Sequence, residues 1–236
     1  MIFGGGFMYK TEAHVHTMEV SKCGKTPARE IVRLYSELGF DTIFITDHIN
    51  GATFDRWGDI PWEEKIDIFL SGYEAARDEG NKIGLRVLYG AEICFKKPEG
   101  CCNDYLVYGI DRDFLLGMEN LNHGSLEDFY PYAKDHGVTI IQAHPYRGHA
   151  CYPTPDFVDG FEVYNAHPRH ENYNDEALAL VSGRDCLATV GSDVHMACDV
   201  GRAYILTEEP IKTAEDYINA LKSRKARFVT PEGMEQ

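Results

Sequence analysis

Glu12-Ala13-His14-Val15-His16-Thr17 sets two imidazoles one residue apart at the end of what reads as a strand, about Phe7 to His16. Alternation along a strand puts both on the same face. Two histidines at that spacing suit one metal ion. The theme returns downstream in Thr46-Asp47-His48, Gly90-Ala91-Glu92, Ala143-His144-Pro145 and Gly191-Ser192-Asp193-Val194-His195. Each of these follows an apolar, β-rich run, so the expectation is that five strand ends meet at one metal site.

Working outward, Thr42-Ile43-Phe44-Ile45-Thr46 is almost wholly apolar, as expected of a strand buried on both faces of a helix-covered parallel sheet. Between the strands lie helical patterns. Thr26 is placed to cap a helix opening at Pro27, with Ile31, Leu34, Tyr35 and Leu38 as its apolar stripe and Gly39 as its stop. Pro61 to about Gly80 reads as a second helix carrying Ile66, Phe69, Leu70 and Tyr73. Ser125 begins a third, with Glu127 and Asp128 in its first turn, where acids suit the dipole. Further helices are expected at about Asn174–Val181 and Thr213–Arg224. Strands are expected at Arg86–Tyr89, Tyr105–Ile110, Val138–Ile141, Gly160–Asn165, Leu187–Gly191, Ala203–Leu206 and Arg227–Val229.

Strand and helix alternate with no biased linker and no repeat. This predicts one α/β domain over residues 1–236, with a parallel sheet and residues 1–8 as a leader of no assigned function. Polar residues at strand ends fit a TIM-like barrel better than an open sheet, because five or more ends must converge.

The composition narrows the function classes. Thirty-eight acidic against 23 basic residues give a net charge of -15, which disfavours a nucleic-acid carrier and leaves only a short oligonucleotide substrate open. Seven cysteines without a Cys-x-x-Cys pair disfavour both a disulfide framework and a zinc ribbon. No apolar run approaches the ~20 residues of a membrane span, and the N-terminus lacks signal-peptide character. The expected setting is the cytoplasm.

Histidine and carboxylate without cysteine are the donors of zinc, manganese or iron in hydrolytic sites. In order, HVHT, TDH, GAE, AHP and SDVH resemble the motif set of the polymerase and histidinol phosphatase (PHP) superfamily of metal-dependent phosphoesterases, from about Tyr9 to Ile205. The resemblance implies a distorted (β/α)7 barrel holding two to three divalent ions at the carboxyl ends of its strands. By motif, it implies that His14, His16, Glu92 and Asp193 hold the first metal. Glu92 would bridge to a second metal at His144, and His48 and His195 would hold a third. Two places depart from the usual spelling. Met18-Glu19-Val20 stands where many relatives read Ser-Asp-Gly, which makes Glu19 the candidate carboxylate of the third metal. A histidine is often found near Asn103-Asp104-Tyr105, where Asp104 is slightly favoured over the later His123.

The implied reaction is hydrolysis of a small phosphate ester by a metal-activated water, with Glu92 and Asp193 at its centre. Arg147 and Arg169 are candidate phosphate partners, the alternative being surface ion pairs. His167 is a candidate site-lining residue or proton donor. His136 reads as a helix C-terminus, and Trp57 and Trp62 as either a lid or packing. The Cys101-Cys102 pair reads as a buried or loop thiol pair beside the pocket. Two other functions compete: a metal-dependent amidohydrolase, weakened by the lack of a lysine at a strand end, and a non-catalytic module supporting a partner protein.

Overall fold

The computed structural model describes residues 7–96, 102–121 and 123–233. The expected leader therefore lies mostly outside the described residues, as does Cys101. In chain order the elements are β1 (Tyr9–Glu12), α1 (Ala28–Glu37), β2 (Thr42–Ile45), β3 (His48–Ile49), α2 (Gly51–Asp55), α3 (Trp62–Ile83), β4 (Arg86–Lys96), β5 (Cys102–Tyr108), α4 (Arg112–Leu116), α5 (Leu126–Asp135), β6 (Thr139–Gln142), β7 (Gly160–Asn165), α6 (Asn174–Val181), β8 (Leu187–Gly191), β9 (Tyr204–Thr207), α7 (Ala214–Lys222) and β10 (Arg227–Val229).

The strands form one sheet in the order β10-β9-β1-β2-β4-β5-β6-β7-β8, with β3 paired to the far half of β4. From β1 to β8 this is a distorted seven-stranded TIM-like barrel. It closes where Val15 bridges Val194 in parallel, with His16 N donating to Val194 O at 3.0 Å and Val194 N to His14 O at 3.2 Å.

The expectation of a parallel sheet needs one correction. Strand β5 runs antiparallel between β4 and β6, β9 lies antiparallel beside β1, and β10 pairs antiparallel with the outer edge of β9. Strands β4 and β5 form a long hairpin in place of a helical crossover, and its register sets Asp104 opposite Cys94.

Helix boundaries follow local chemistry. Ser125 and Asp128 make the reciprocal cap of α5, and Thr213 with Asp216 that of α7. Gly84 ends α3 with a φ of 83°. Helix α1 differs from expectation. Pro27 is its N-cap and Thr26 makes no side-chain cap; the Glu19 carboxylate reaches forward to accept from Ala28 N at 3.0 and 3.1 Å.

Two layers of packing hold the barrel. Outside, Val15, Ile43 and Ile45 face Ile31, Val32 and Tyr35 of α1 and Ala76 of α3. Elsewhere in the core, Phe44, Tyr108 and Tyr217 form a triangle of rings with centroids 4.9 to 5.1 Å apart. Edge and tilted contacts of this kind add to the area such rings bury. Trp57 meets Phe54 edge-on and Trp62 packs tilted against it, and Trp62 Nε1 donates to Leu115 O at 3.0 Å, which is the packing role. His136 ends α5 as expected, its Nδ1 2.8 Å from Tyr132 O. Among the described residues no helix is long and apolar enough to cross a membrane.

Candidate metal centre

The residues after β1 and β8 build the centre of the site. His14 Nε2 lies 3.2 Å from His16 Nε2, 3.4 Å from Glu92 Oε2 and 3.5 Å from Asp193 Oδ1. His16 Nε2 lies 3.1 Å from the same Glu92 oxygen and 3.3 Å from the same Asp193 oxygen. Four donors held tetrahedrally about 2.1 Å from a zinc-like ion stand about 3.4 Å from one another. Five of the six separations in such a cage, between 3.1 and 3.5 Å, lie near that value, and His14, His16 and Glu92 are grouped within 4.8 Å of one another.

The ring protons point the same way. His14 Nδ1 faces Glu162 Oε1 at 2.9 Å, a carboxylate that can only accept, so Nε2 of His14 carries the lone pair. Ser21 Oγ donates to Asp47 Oδ1 at 2.6 Å and accepts from His48 N at 3.0 Å, while His16 Nδ1 stands 3.3 Å from it. Its hydrogen being committed to Asp47, Ser21 can only accept from His16, which likewise bares Nε2. The two Nε2 atoms face each other across 3.2 Å with two carboxylate oxygens alongside, an arrangement that calls for a proton or, in its place, a shared cation.

The electrostatics repeat this demand for positive charge. Burial opposes charge on His14, yet Asp193, Glu162 and Glu92 outweigh it and hold His14 well above its ordinary value. For His16 burial is likewise outweighed, by hydrogen bonds to Asp193 and Glu92, and the group rises to about 9. Burial would raise Glu92 and Asp193, but His14 and its neighbours keep both well below the carboxylate range.

A second cluster extends from Glu92. Its Oε1 is 3.1 Å from His144 Nε2, which is 3.9 Å from Asp104 Oδ2. His48, Glu92 and Asp104 also offer donors within 4.8 Å of one another, as do His16, His48 and His195, and His167, Asp193 and His195. Burial lowers His48 to about 4 and His195 to about 3, so both are neutral imidazoles at pH 7, the ligand form. Among the described residues the buried Nδ1 of His144 has no hydrogen-bond partner, and that of His48 stands 3.1 Å from Glu92 Oε2 without hydrogen-bond geometry.

Local backbone geometry makes these approaches possible. His144 and Asp193 sit at positive φ, 28° and 52°, which L-residues seldom adopt and which cluster at functional sites. Gly191 is required by space: a Cβ there would stand 2.6 Å from both His14 Cβ and Glu162 Oε1.

Of the sequence candidates, His14, His16, His48, Glu92, Asp104, His144, Asp193, His195 and His167 come together. Glu19 does not: its carboxylate is spent on the α1 cap, and it joins no cluster. His123 is exposed, 3.4 Å from Asp55, which leaves Asp104 at the site. Arg147 reaches the site by way of Asp193, donating to Asp193 Oδ2 at 2.6 Å, Asn165 Oδ1 at 2.9 Å and Asn172 Oδ1 at 2.9 Å. Of the two readings of Arg169, the structure has the ion pair. Arg169 pairs bidentately with buried Asp199, whose Oδ2 accepts from His195 N and Met196 N.

Sequence reasoning missed Glu12, Glu162, Ser21 and Asn165 as members. A charged Glu162 inside the otherwise apolar Phe161-Glu162-Val163 was the available signal. Its Oε2 accepts from His144 N and Asn165 Nδ2, so one carboxylate fixes both His14 and His144.

The fold is a seven-stranded barrel whose strand ends gather histidines and carboxylates that could hold a metal ion. A family model described as PHP-associated matches residues 171–226. No curated protein matches the sequence. Among solved structures, the chain is similar to a two-domain protein of Bacteroides vulgatus ATCC 8482 containing a predicted PHP-like metal-dependent phosphoesterase, at 17% identity and TM-score 0.67 over 96% of this chain and 66% of that one. It is also similar to an amidohydrolase of Chromobacterium violaceum solved with sulfate and no metal (15%, TM-score 0.58, 92% and 96%). A third is the lesion-specific endonuclease EndoQ of Pyrococcus furiosus (14%, TM-score 0.60, 94% and 58%). At these identities the likeness is one of fold. The PHP-associated match covers residues 171–226, and beyond that segment the similarity to PHP-like structures is one of fold.

Proposed function

We propose that the chain is a metal-dependent phosphoesterase acting on a small phosphorylated substrate. The four-atom cage, continuous through Glu92 with His144 and Asp104, carries the reading. It supports two to three divalent ions, zinc, manganese or iron, held by His14, His16, Glu92 and Asp193, by Glu92, His144 and Asp104, and by His48 and His195. When bound, such ions lower the pKa of water and polarise a phosphoryl oxygen.

The protein's own groups do the rest. Arg147 keeps Asp193 ionised and oriented, and its guanidinium places positive charge at the site for phosphoryl oxygens. His167 has its Nδ1 3.0 Å from Asp193 O, a carbonyl that can only accept, so its other ring nitrogen carries the lone pair and would take up a proton before passing it to the leaving oxygen. Beside His48 opens a cleft also lined by Lys22, Asn50, Thr53 and Arg56, two cations and no carboxylate. In a chain of net charge -15 that is a favourable entry for an anion.

The test reconstitutes the purified protein with zinc or manganese and measures hydrolysis of p-nitrophenyl phosphate and bis(p-nitrophenyl) phosphate. Activity should fall at least about a hundredfold in His14→Ala, Glu92→Ala and Asp193→Ala, together with bound metal. Full activity in a metal-depleted variant, or cleavage of amides alone, would overturn the assignment.

A further inference from the structure

Strand β1 changes partner partway along its length. Tyr9, Lys10 and Thr11 pair with β9, whereas three residues after Glu12 the chain bridges Val194, just beyond β8. Such a switch takes backbone N–H groups out of one ladder before they enter the next, and buried donors left unpaired are costly. Glu12, fully buried, fills the gap. Its Oε1 accepts from Ala13 N, His14 N and Ser192 N, each at 3.0 Å, and its Oε2 accepts from Tyr35 Oη at 2.8 Å.

We propose that Glu12 is the positioning residue of the metal cage, a side chain that clamps the two strand ends on either side of the barrel seam. One oxygen atom holds the backbone of His14 and that of Ser192, the residue before Asp193. Through them it fixes donors from opposite sides of the cage relative to each other. Glu12 itself touches no cage atom in any contact described above, so its action runs through the backbone. Tyr35 anchors the clamp to α1, and Gly201 N donates in turn to Tyr35 Oη at 3.4 Å.

The inference rests on the cage and not on the substrate, so zinc titration of the apoprotein by calorimetry tests it without any turnover. Glu12→Ala should weaken the tightest zinc site about tenfold or more. Glu12→Gln keeps an oxygen where the three N–H groups converge and should stay within about threefold of the parent. If Glu12→Ala does not fold, Glu12→Asp carries the test. Its carboxylate is one methylene short of Ser192 N, and affinity should fall about tenfold while the far-ultraviolet circular dichroism is retained. Unchanged affinity in the alanine or aspartate variant would overturn the proposal, as would an equal loss in alanine and glutamine. A parent protein that binds no zinc would instead sink the proposed function.

Discussion

Ser21 carries a hydroxyl whose single hydrogen goes to Asp47, and that one choice decides which nitrogen His16 offers to an ion. At this scale the site is a set of tautomers fixed from behind, and two consequences can be measured. His16 in the folded apoprotein sits at about 9 against an ordinary 6.5. A group raised on folding gives its stabilisation in full below pH 6.5 and loses it as pH climbs through about 9. The metal-free protein should therefore lose thermal stability across that window. Metal must displace the same proton, so zinc affinity should rise over the same range. Calorimetric scans and titrations at matched pH would show the two trends running in opposite directions.

Glu19 makes the second residue-scale test. As the cap of Ala28 N, its replacement by alanine should cost about 1 kcal/mol of stability and leave bound metal unchanged. A loss of one metal equivalent would restore it as a ligand. The error over Glu19 is instructive. Its place in sequence after His-x-His suited a ligand, but the turn from Thr17 to Gly24 directs it toward a helix start nine residues on, and nothing in the local pattern encodes that direction.

Among the elements, β1, β2, β4, β6 and β8 were legible because an apolar run meets a motif in each, and α5 and α7 because their capping pairs are written in sequence. The antiparallel sense of β5 was not legible. Asn103-Asp104-Tyr105-Leu106 alternates identically in either direction, and only the hairpin register brings Asp104, and not His123, toward His144. Glu162 and Glu12 escaped for a related reason: they act through backbone groups and ring nitrogens of residues far along the chain. Strand β8 offers the sharpest test at this scale. Gly191→Ala puts a methyl 2.6 Å from His14 Cβ and Glu162 Oε1. The overpacking should cost about 1–3 kcal/mol and displace His14. Zinc titration of a variant that still unfolds cooperatively should show the tight site weakened, and an undiminished site would contradict this geometry.

For the molecule as a whole, ions that bind only the folded barrel must stabilise it. At free zinc a hundred times the dissociation constant the gain is about 2.7 kcal/mol, visible as a raised melting temperature. Asp193→Ala should lose that shift, and a variant that kept it would place the ion elsewhere. The closing bridge between Val15 and Val194 has a further implication, for the order in which the protein is made. Strand β1, with His14 and His16, is made before Asp193, with which the two histidines would share the proposed ion, and β9, the other neighbour of β1, follows it. Until then the two imidazoles belong to a barrel without its last stave. Contacts so far apart in sequence form late and slowly, so the proposed first metal site would be completed only once β8 and Asp193 have been made.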